Sequence, residues 1–124
     1  MIVLDASAAV LALLNDGDAR RSLATEVVVV PHLADSEVTR AQVHRGHIGA
    51  DDARTALARW MQLGLRRFGV VGLLARVWEL RGNLTAFDAT YIALAEALSC
   101  DLVTADARLA QAPGPTCAIT VVRR

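Results

Sequence analysis

The chain has 124 residues, a mass of 13.2 kDa and no formal net charge, with 13 basic and 13 acidic side chains. This length suits one domain with a substantial core, and a hydrophobic content of 54% excludes a disordered chain. Neutrality excludes a protein that coats nucleic acid through general positive charge. The absence of lysine from the sequence excludes Schiff-base and P-loop chemistry.

The sequence also argues against a membrane or secretory location. No apolar run reaches the length of a membrane-spanning segment, and Asp5 interrupts the first apolar stretch early. Cys100 and Cys117 are the two cysteines and do not form a CxxC arrangement, so reduced, buried thiols are expected. We therefore expect a cytoplasmic protein that does not bind a membrane.

The first part of the chain predicts two buried strands separated by helices. Residues 1–4 are an apolar run that ends at Asp5, which indicates a central strand followed by a helix to about Leu14. Residues 20–25 are expected to be helical. Four β-branched residues at 27–30 are typical of a strand that is buried in a parallel sheet.

The middle of the chain predicts further helices. Asp35 or Ser36 is expected to cap a helix that runs to about Arg45, with Glu37 in its first turn. Another helix is expected over residues 51–64.

A short strand and a helix are predicted next, over residues 66–70 and 71–81. The helix is expected to bury one apolar face, which consists of Leu74, Val77, Trp78 and Leu80.

The most informative stretch follows these elements. Thr85 has the chemistry of a helix N-cap, and Asp88 lies three residues later, where a capping-box acid sits. Residues 86–98 are apolar almost all round, which indicates a buried helix. Residues 101–104 then predict a short strand, and Asp106 lies in the turn just after its carboxyl end.

Residues 118–122 predict the last strand. Strands and helices that alternate in this way are typical of the α/β class. We therefore predict a single domain over residues 1–124, with a central, mostly parallel sheet of four to five strands flanked by helices.

Four carboxylates stand out because of their positions. Asp5 and Asp106 follow strand ends, while Glu37 and Asp88 lie in the first turns of helices, so all four can converge on the carboxyl edge of the sheet. Four gathered negative charges repel one another unless hard divalent cations neutralise them. Two Mg²⁺ or Mn²⁺ ions at such a site can support phosphodiester cleavage.

Three of these acids also have structural explanations that the sequence leaves open. Asp88 and Asp106 are suited to capping helices, and Glu37 to compensating a helix dipole. Asp5 is the hardest to explain in this way, because an unpartnered acid at the end of an apolar strand is unfavourable.

Other polar residues near these segments are candidates for supporting roles. Ser7 and Thr104 are either hydroxyls that support the acids or ordinary helix and turn residues. Because the net charge is zero, substrate phosphates must be held by local arginines. Arg40, Arg45 and Arg108 are candidates, since they follow the segments that carry the acids.

Four segments give the chain a resemblance to PIN-domain ribonucleases, and within them to the VapC toxins of bacterial type II toxin–antitoxin modules. These segments are IVLDASA at 2–8, PHLADSEV at 31–38, LTAFDATYIALAE at 84–96 and LVTADARL at 102–109. Their order and spacing cover the whole chain, and the last two together are quite specific.

The resemblance implies a three-layer PIN-like fold and a Mg²⁺-dependent endoribonuclease. It implies that four acids bind the metal, namely Asp5, Glu37, Asp88 and Asp106. Thr104 would be the hydroxyl that precedes the last acid. Asp35 lies close to Glu37 and is the alternative to it as the second acid.

The resemblance also implies partners: an RNA substrate, a cognate antitoxin and a second copy of the chain in a homodimer. The apolar segment from Val38 through Trp60 and Met61 to Leu74 is a candidate docking surface for the antitoxin. Core packing is the alternative explanation for most of these residues.

Three other functions are compatible with parts of the pattern. A nuclease for DNA or for RNA maturation would use the same acids. A longer chain with binding insertions would favour that function, and this chain is short. A phosphoacceptor signalling domain is rejected, because that class needs a late lysine. A non-catalytic binding module is disfavoured by four intact acids.

Overall fold

The computed structural model describes residues 1–44 and 49–123, and it builds them around a five-stranded sheet in which every strand pair is parallel. The elements are β1 (Ile2–Leu4), α1 (Ala6–Leu14), α2 (Asp18–Thr25), β2 (Val28–Pro31), α3 (Leu33–His44), α4 (Ala50–Gln62), β3 (Arg66–Phe68), a 3₁₀ turn (Val71–Leu73), α5 (Leu74–Glu79), α6 (Ala86–Ala97), β4 (Asp101–Thr104), a second 3₁₀ turn (Ala107–Gln111) and β5 (Ile119–Val121). This architecture confirms the predicted α/β class and strand number.

The strand order, β3-β2-β1-β4-β5, reverses direction at β1. In register, Val3 of β1 lies between Val29 of β2 and Leu102 of β4. Parallel crossovers are right-handed, so the connections that run to either side of β1 place their helices on opposite faces of the sheet. The reversal also opens a crevice at the carboxyl ends of β1 and β4, where ligands bind in sheets of this kind.

The core is centred on the sheet and on α6. Val3, Leu4, Val29 and Leu102 are fully buried, as expected for central parallel strands that are covered on both faces. Every residue of α6 from 89 to 95 is buried, and this helix packs against β1, β2 and β4. The prediction of a buried helix in this stretch is therefore confirmed.

The predicted start of α3 is wrong. The helix begins at Leu33, and the amide of Asp35 already donates to the carbonyl of His32, so Asp35 and Ser36 lie inside the first turn rather than at the cap. The carboxylate of Asp35 is also not free to cap a helix, because it accepts hydrogen bonds from Trp60 and from the neighbouring strand β3.

The predicted buried face of residues 71–81 is wrong for two of its four members. The segment divides into a 3₁₀ turn and the short helix α5, in which Leu74 is 52% exposed and Trp78 is 66% exposed. Leu80 is buried and Val77 is partly buried, because these two face the core and α5 packs against α6. The Trp78 ring instead lies under the guanidinium of Arg81, 4.0 Å from ring centroid to Cζ.

In the described ranges, none of the helices combines the length and the apolar content that crossing a membrane requires. Cys100 and Cys117 are half-buried free thiols.

Candidate active site

Asp5 lies at the carboxyl end of β1 and is the N-cap of α1. Its side chain is 5% exposed, yet both carboxylate oxygens have donors. Oδ1 accepts from the Ser7 hydroxyl at 2.6 Å and from the amide of Ala8 at 3.0 Å, and Oδ2 accepts from the Thr104 hydroxyl at 2.5 Å. Burial raises the pKa of Asp5, while these three hydrogen bonds lower it. The position of this acid is therefore fixed from three directions.

Ser7, in the first turn of α1, and Thr104, at the end of β4, lie together beside Asp5. Their hydroxyl oxygens are 3.2 Å apart. The Ser7 hydroxyl accepts from the amide of Ala105, and the Thr104 hydroxyl accepts from the amide of Asp106, both at 3.0 Å. The two residues thus hold Asp5 on one side and the turn that carries Asp106 on the other.

Glu37 lies one turn into α3, and its side chain lines a cleft between α1, α3 and the end of β5. Its Oε1 is buried and has no hydrogen-bond partner among the described residues, and the same is true of the Tyr91 hydroxyl. Burial raises the pKa of Glu37, and the charges of Asp88 and Asp5 raise it further. The nearby Tyr91 hydroxyl lowers that pKa, although no hydrogen bond of normal geometry joins the two side chains.

Asp88 lies in the first turn of α6. Its amide donates to the Thr85 hydroxyl at 3.1 Å, so Thr85 is the N-cap that the sequence predicts. Burial raises the pKa of the Asp88 carboxyl, and the charge of Asp106 raises it as well. The Thr85 hydroxyl and Arg108 lower it. The Thr85 side chain thus caps the helix, and the half-buried Asp88 carboxyl lies near Asp106 and Arg108.

Asp106 caps the second 3₁₀ turn and forms an ion pair with Arg108. Its Oδ1 accepts from the Arg108 amide and from Nε, each at 3.0 Å, and its Oδ2 accepts from Nη2 at 2.7 Å. This pairing holds the pKa of Asp106 below its usual range. Arg108, which the sequence predicts as an RNA contact, is therefore committed to an acid of the site in this structure, although 88% of its side chain is exposed.

The four predicted acids share one electrostatic environment. The charge of Asp88 raises the pKa of both Asp5 and Glu37, and the charge of Asp106 raises that of Asp88. Within residues 1–44 and 49–123, however, no three acid, histidine or cysteine side chains are close enough to form a ready-made cation site. Binding a metal therefore requires side chains to rotate.

The chemistry of these residues fits a hard divalent cation. All four potential ligands are carboxylates, which Mg²⁺ and Mn²⁺ prefer. Glu37 Oε1 is a buried acceptor with no donor among the described residues, and burial raises the pKa of three of the four acids. A bound cation would remove both unfavourable features.

Two other acids that neighbour the site in sequence lie outside it. Asp35 accepts from Nε and Nη2 of Arg67 and from the Trp60 indole, and the Arg67 hydrogen bonds hold its pKa low. Asp101 is exposed at the opposite end of β4. Between Asp35 and Glu37, the geometry favours Glu37 as the second acid, because Glu37 lines the cleft and Asp35 is bound to Arg67 and Trp60.

A cleft of about 730 Å³ extends from Ser7 and Glu37 between α1, α3 and the end of β5. One wall is apolar, and Arg40 and Arg123 line it as well. Arg40 is one of the predicted RNA contacts, whereas Arg123 is absent from that prediction. Arg123 directly follows the predicted last strand, at the carboxyl edge, and this position is the sequence signal that could have identified it. Arg45, the third predicted contact, lies outside the described residues.

Comparison with known proteins shows the family to which the chain belongs. The family model described as the PIN domain matches residues 2–115. Ribonuclease VapC9 of Mycobacterium tuberculosis is 55% identical over 127 residues, which cover 100% of both chains. Ribonuclease VapC1 of the same species is 40% identical, over 98% of this chain and 97% of the relative.

Solved structures share the fold at lower identity. VapBC2 from Rickettsia felis, solved with a DNA fragment from its promoter, gives a TM-score of 0.74 at 14% identity, over 99% of this chain and 100% of that chain. VapC20 of Mycobacterium tuberculosis, described as a sarcin-ricin loop cleaving toxin, gives 0.65 at 24% identity, over 86% of this chain and 91% of that chain.

Proposed function

Since the chain belongs to the PIN-domain family and to its VapC ribonuclease branch, we propose that it is a metal-dependent endoribonuclease and the toxin of a toxin–antitoxin pair. Its metal ligands are Asp5, Glu37, Asp88 and Asp106. The observation that carries this proposal is the desolvated group of acids at the carboxyl edge. Three of them have a raised pKa, and Glu37 has a buried oxygen with no donor in the described structure.

The protein contributes one ligand that is fixed before the cation arrives, and other carboxylates whose side chains rotate toward the cation. Asp5 is fixed by Ser7, Thr104 and the start of α1, so it provides the rigid ligand. Glu37 and Asp88 contribute from the first part of α3 and of α6. When bound, Mg²⁺ or Mn²⁺ supplies Lewis-acid activation of water and neutralises charge on the phosphodiester.

The RNA backbone is held by arginines at the cleft. Arg40 and Arg123 line it, and neither forms an ion pair with any residue that the structure describes. Their guanidinium groups are therefore available for phosphate oxygens. Arg108 is a third contact if it leaves Asp106 when a cation takes that carboxylate.

The proposed partner is an antitoxin segment with an apolar face. A groove of about 520 Å³ lies between α1, α2 and α4, with an apolar lining that includes Leu13, Leu23 and Leu63. Arg59 lies at this groove and forms no ion pair with a described residue, which suits a segment that also carries an acidic residue. The docking surface expected from the sequence is only partly available, because Val38 and Trp60 belong to the core.

A homodimer in the cytoplasm completes the proposal. Val71, Leu74 and Trp78 are 84%, 52% and 66% exposed on the 3₁₀ turn and α5. An apolar patch of this kind suits an interface between two copies of the chain.

The test combines metal binding with RNA cleavage by the purified chain. Wild-type protein should melt at a higher temperature when Mn²⁺ is added, because the cation stabilises the native state through its affinity for it. Asp5→Asn should lose most of this gain, and its cleavage rate should fall by on the order of 100-fold. Asp101→Asn is the matched control: it removes an exposed aspartate at the opposite end of β4 and should keep both properties.

Cleavage should stop in EDTA. Undiminished cleavage in EDTA, or a full Mn²⁺ response in Asp5→Asn, would overturn the metal site. Metal binding without cleavage of any RNA would indicate a non-catalytic binding module.

A further inference from the structure

The Tyr91 hydroxyl is a buried donor that the four-acid site does not use. Tyr91 is 2% exposed in the middle of α6, one turn after Asp88. In the described part of the chain, two buried side-chain polar atoms lack a hydrogen-bond partner, and they are this hydroxyl and Glu37 Oε1. A buried polar group that lacks a partner is rare in native proteins and requires an explanation.

The surroundings of this hydroxyl are acidic. Glu37, Asp5 and Asp88 all act electrostatically on Tyr91, with Glu37 the strongest of the three. The phenol therefore lies near the acids, although the side chain itself is buried. A phenylalanine would fill the same space without burying an unpaired donor, so packing alone does not explain a tyrosine here.

Glu37 is the acid that most needs a second contact. Asp5 is fixed by two hydroxyls and one amide, whereas Glu37 has a longer side chain and no donor on its buried oxygen. A carboxylate that binds a metal with one oxygen is commonly oriented by a hydrogen bond to the other. The Tyr91 hydroxyl is the nearby group of the right chemistry.

We propose that Tyr91 is a positioning residue, whose hydroxyl donates to one carboxylate oxygen of Glu37 and thereby directs the other oxygen toward the cation. This inference rests on the proposed metal site and assigns one further residue to it. The two groups lie close enough for each to shift the pKa of the other, and neither has a hydrogen-bond partner in the described structure, so rotation of Glu37 would pair both atoms.

The experiment is Tyr91→Phe, which removes only the hydroxyl. Mn²⁺ affinity is measured by calorimetry, and thermal unfolding is measured in EDTA. We expect Mn²⁺ affinity to fall by about 10-fold, which is typical for loss of a hydrogen bond that orients a ligand. In EDTA the variant should melt at or above the wild-type temperature, because an unpaired buried donor has been removed.

A double-mutant cycle identifies the residue through which Tyr91 acts. In a Glu37→Ala background, Tyr91→Phe should cause little further loss of Mn²⁺ affinity, because the carboxylate that Tyr91 orients is already absent. Losses that multiply independently would overturn the proposal. A Tyr91→Phe variant that melts lower in EDTA and binds Mn²⁺ as the wild type does would make Tyr91 a core residue only. If the wild type itself binds no Mn²⁺, the proposed metal site fails, which is a separate result.

Discussion

Two groups of carboxylates in this molecule have opposite environments. Asp35 and Glu96 each accept two or more hydrogen bonds from a guanidinium, that of Arg67 and that of Arg76, and this lowers the pKa of both acids. Within residues 1–44 and 49–123, no guanidinium binds Asp5, Glu37 or Asp88, and burial raises the pKa of all three acids. The first group stabilises the folded state, whereas the charged acids of the second group lower the stability of the folded state.

The difference shows that position on a helix decides the role of an acid. Asp35 and Glu37 are two residues apart on α3, which separates them by about 200° around the helix axis. Asp35 therefore faces α4 and β3, where Trp60 and Arg67 bind it. Glu37 faces the cleft and Tyr91. Neighbouring acids can thus serve stability and function separately.

Among the variants that test this comparison, Asp35→Ala is expected to have the largest effect. It removes the acceptor of the Arg67 guanidinium and of the buried Trp60 indole, so the free energy of unfolding should fall by about 2 kcal/mol. Glu37→Gln should instead have a free energy of unfolding in EDTA that equals or exceeds the wild-type value. Urea denaturation checks both variants, with Asp101→Ala as the exposed control. Equal losses at Asp35 and Glu37 would remove the distinction between the two groups.

The pH dependence of these two effects should differ in kind. Asp35 has a native pKa below its usual 3.8, so its stabilisation is full above that pH and is lost as the pH falls through the native value. Glu37 has a native pKa above its usual 4.5, so it opposes folding at neutral pH and ceases to do so once protonated. As the pH falls, the gain in unfolding free energy from Glu37→Gln should therefore disappear first. The stabilisation that Asp35 provides should still be present in the wild type at that pH. Denaturation in EDTA between about pH 7 and pH 4 measures this order of events.

The smallest expected effect concerns the arginines, which divide into those that bind acids and those that line the cleft. Arg67 and Arg76 are bound to acids, whereas Arg40 and Arg123 line the cleft without an ion pair among the described residues. Arg40→Gln and Arg123→Gln should each reduce the slope of log RNA affinity against log salt by about 0.7, the value for one phosphate contact with a single strand. Arg59→Gln, on the other groove, should leave the slope unchanged. A salt dependence that is unaltered in both cleft variants would place the RNA elsewhere.

Most of the fold could be predicted from the sequence because its central elements have strong patterns. The β-branched run of β2, the apolar start of β1 and the all-round apolar helix α6 each permit one interpretation, and the structure places all three within a residue or two. Leu74 and Trp78 were misassigned because the spacing of apolar residues does not reveal whether a short helix has one covered face or two.

The candidate site could be predicted only at the level of which acids share an edge. Sequence order places strand ends and helix starts together, and this identifies Asp5, Glu37, Asp88 and Asp106 as candidates. It does not reveal that Arg108 folds back onto Asp106, or that Arg123 lies at the cleft. Those contacts depend on turns and rotamers that bring together residues with no shared pattern.

The hydrogen bond between Thr104 and Asp5 has a consequence for synthesis of the protein on the ribosome. It joins residues that are 99 positions apart, and β1, the first strand to be made, becomes central only when β4 pairs with it. A nascent chain that has exposed Asp5, Glu37 and Asp88 still lacks the strand that fixes the first of them. The surroundings of Asp5 are therefore complete only after β4 has been made, and a chain whose translation stops before β4 lacks them.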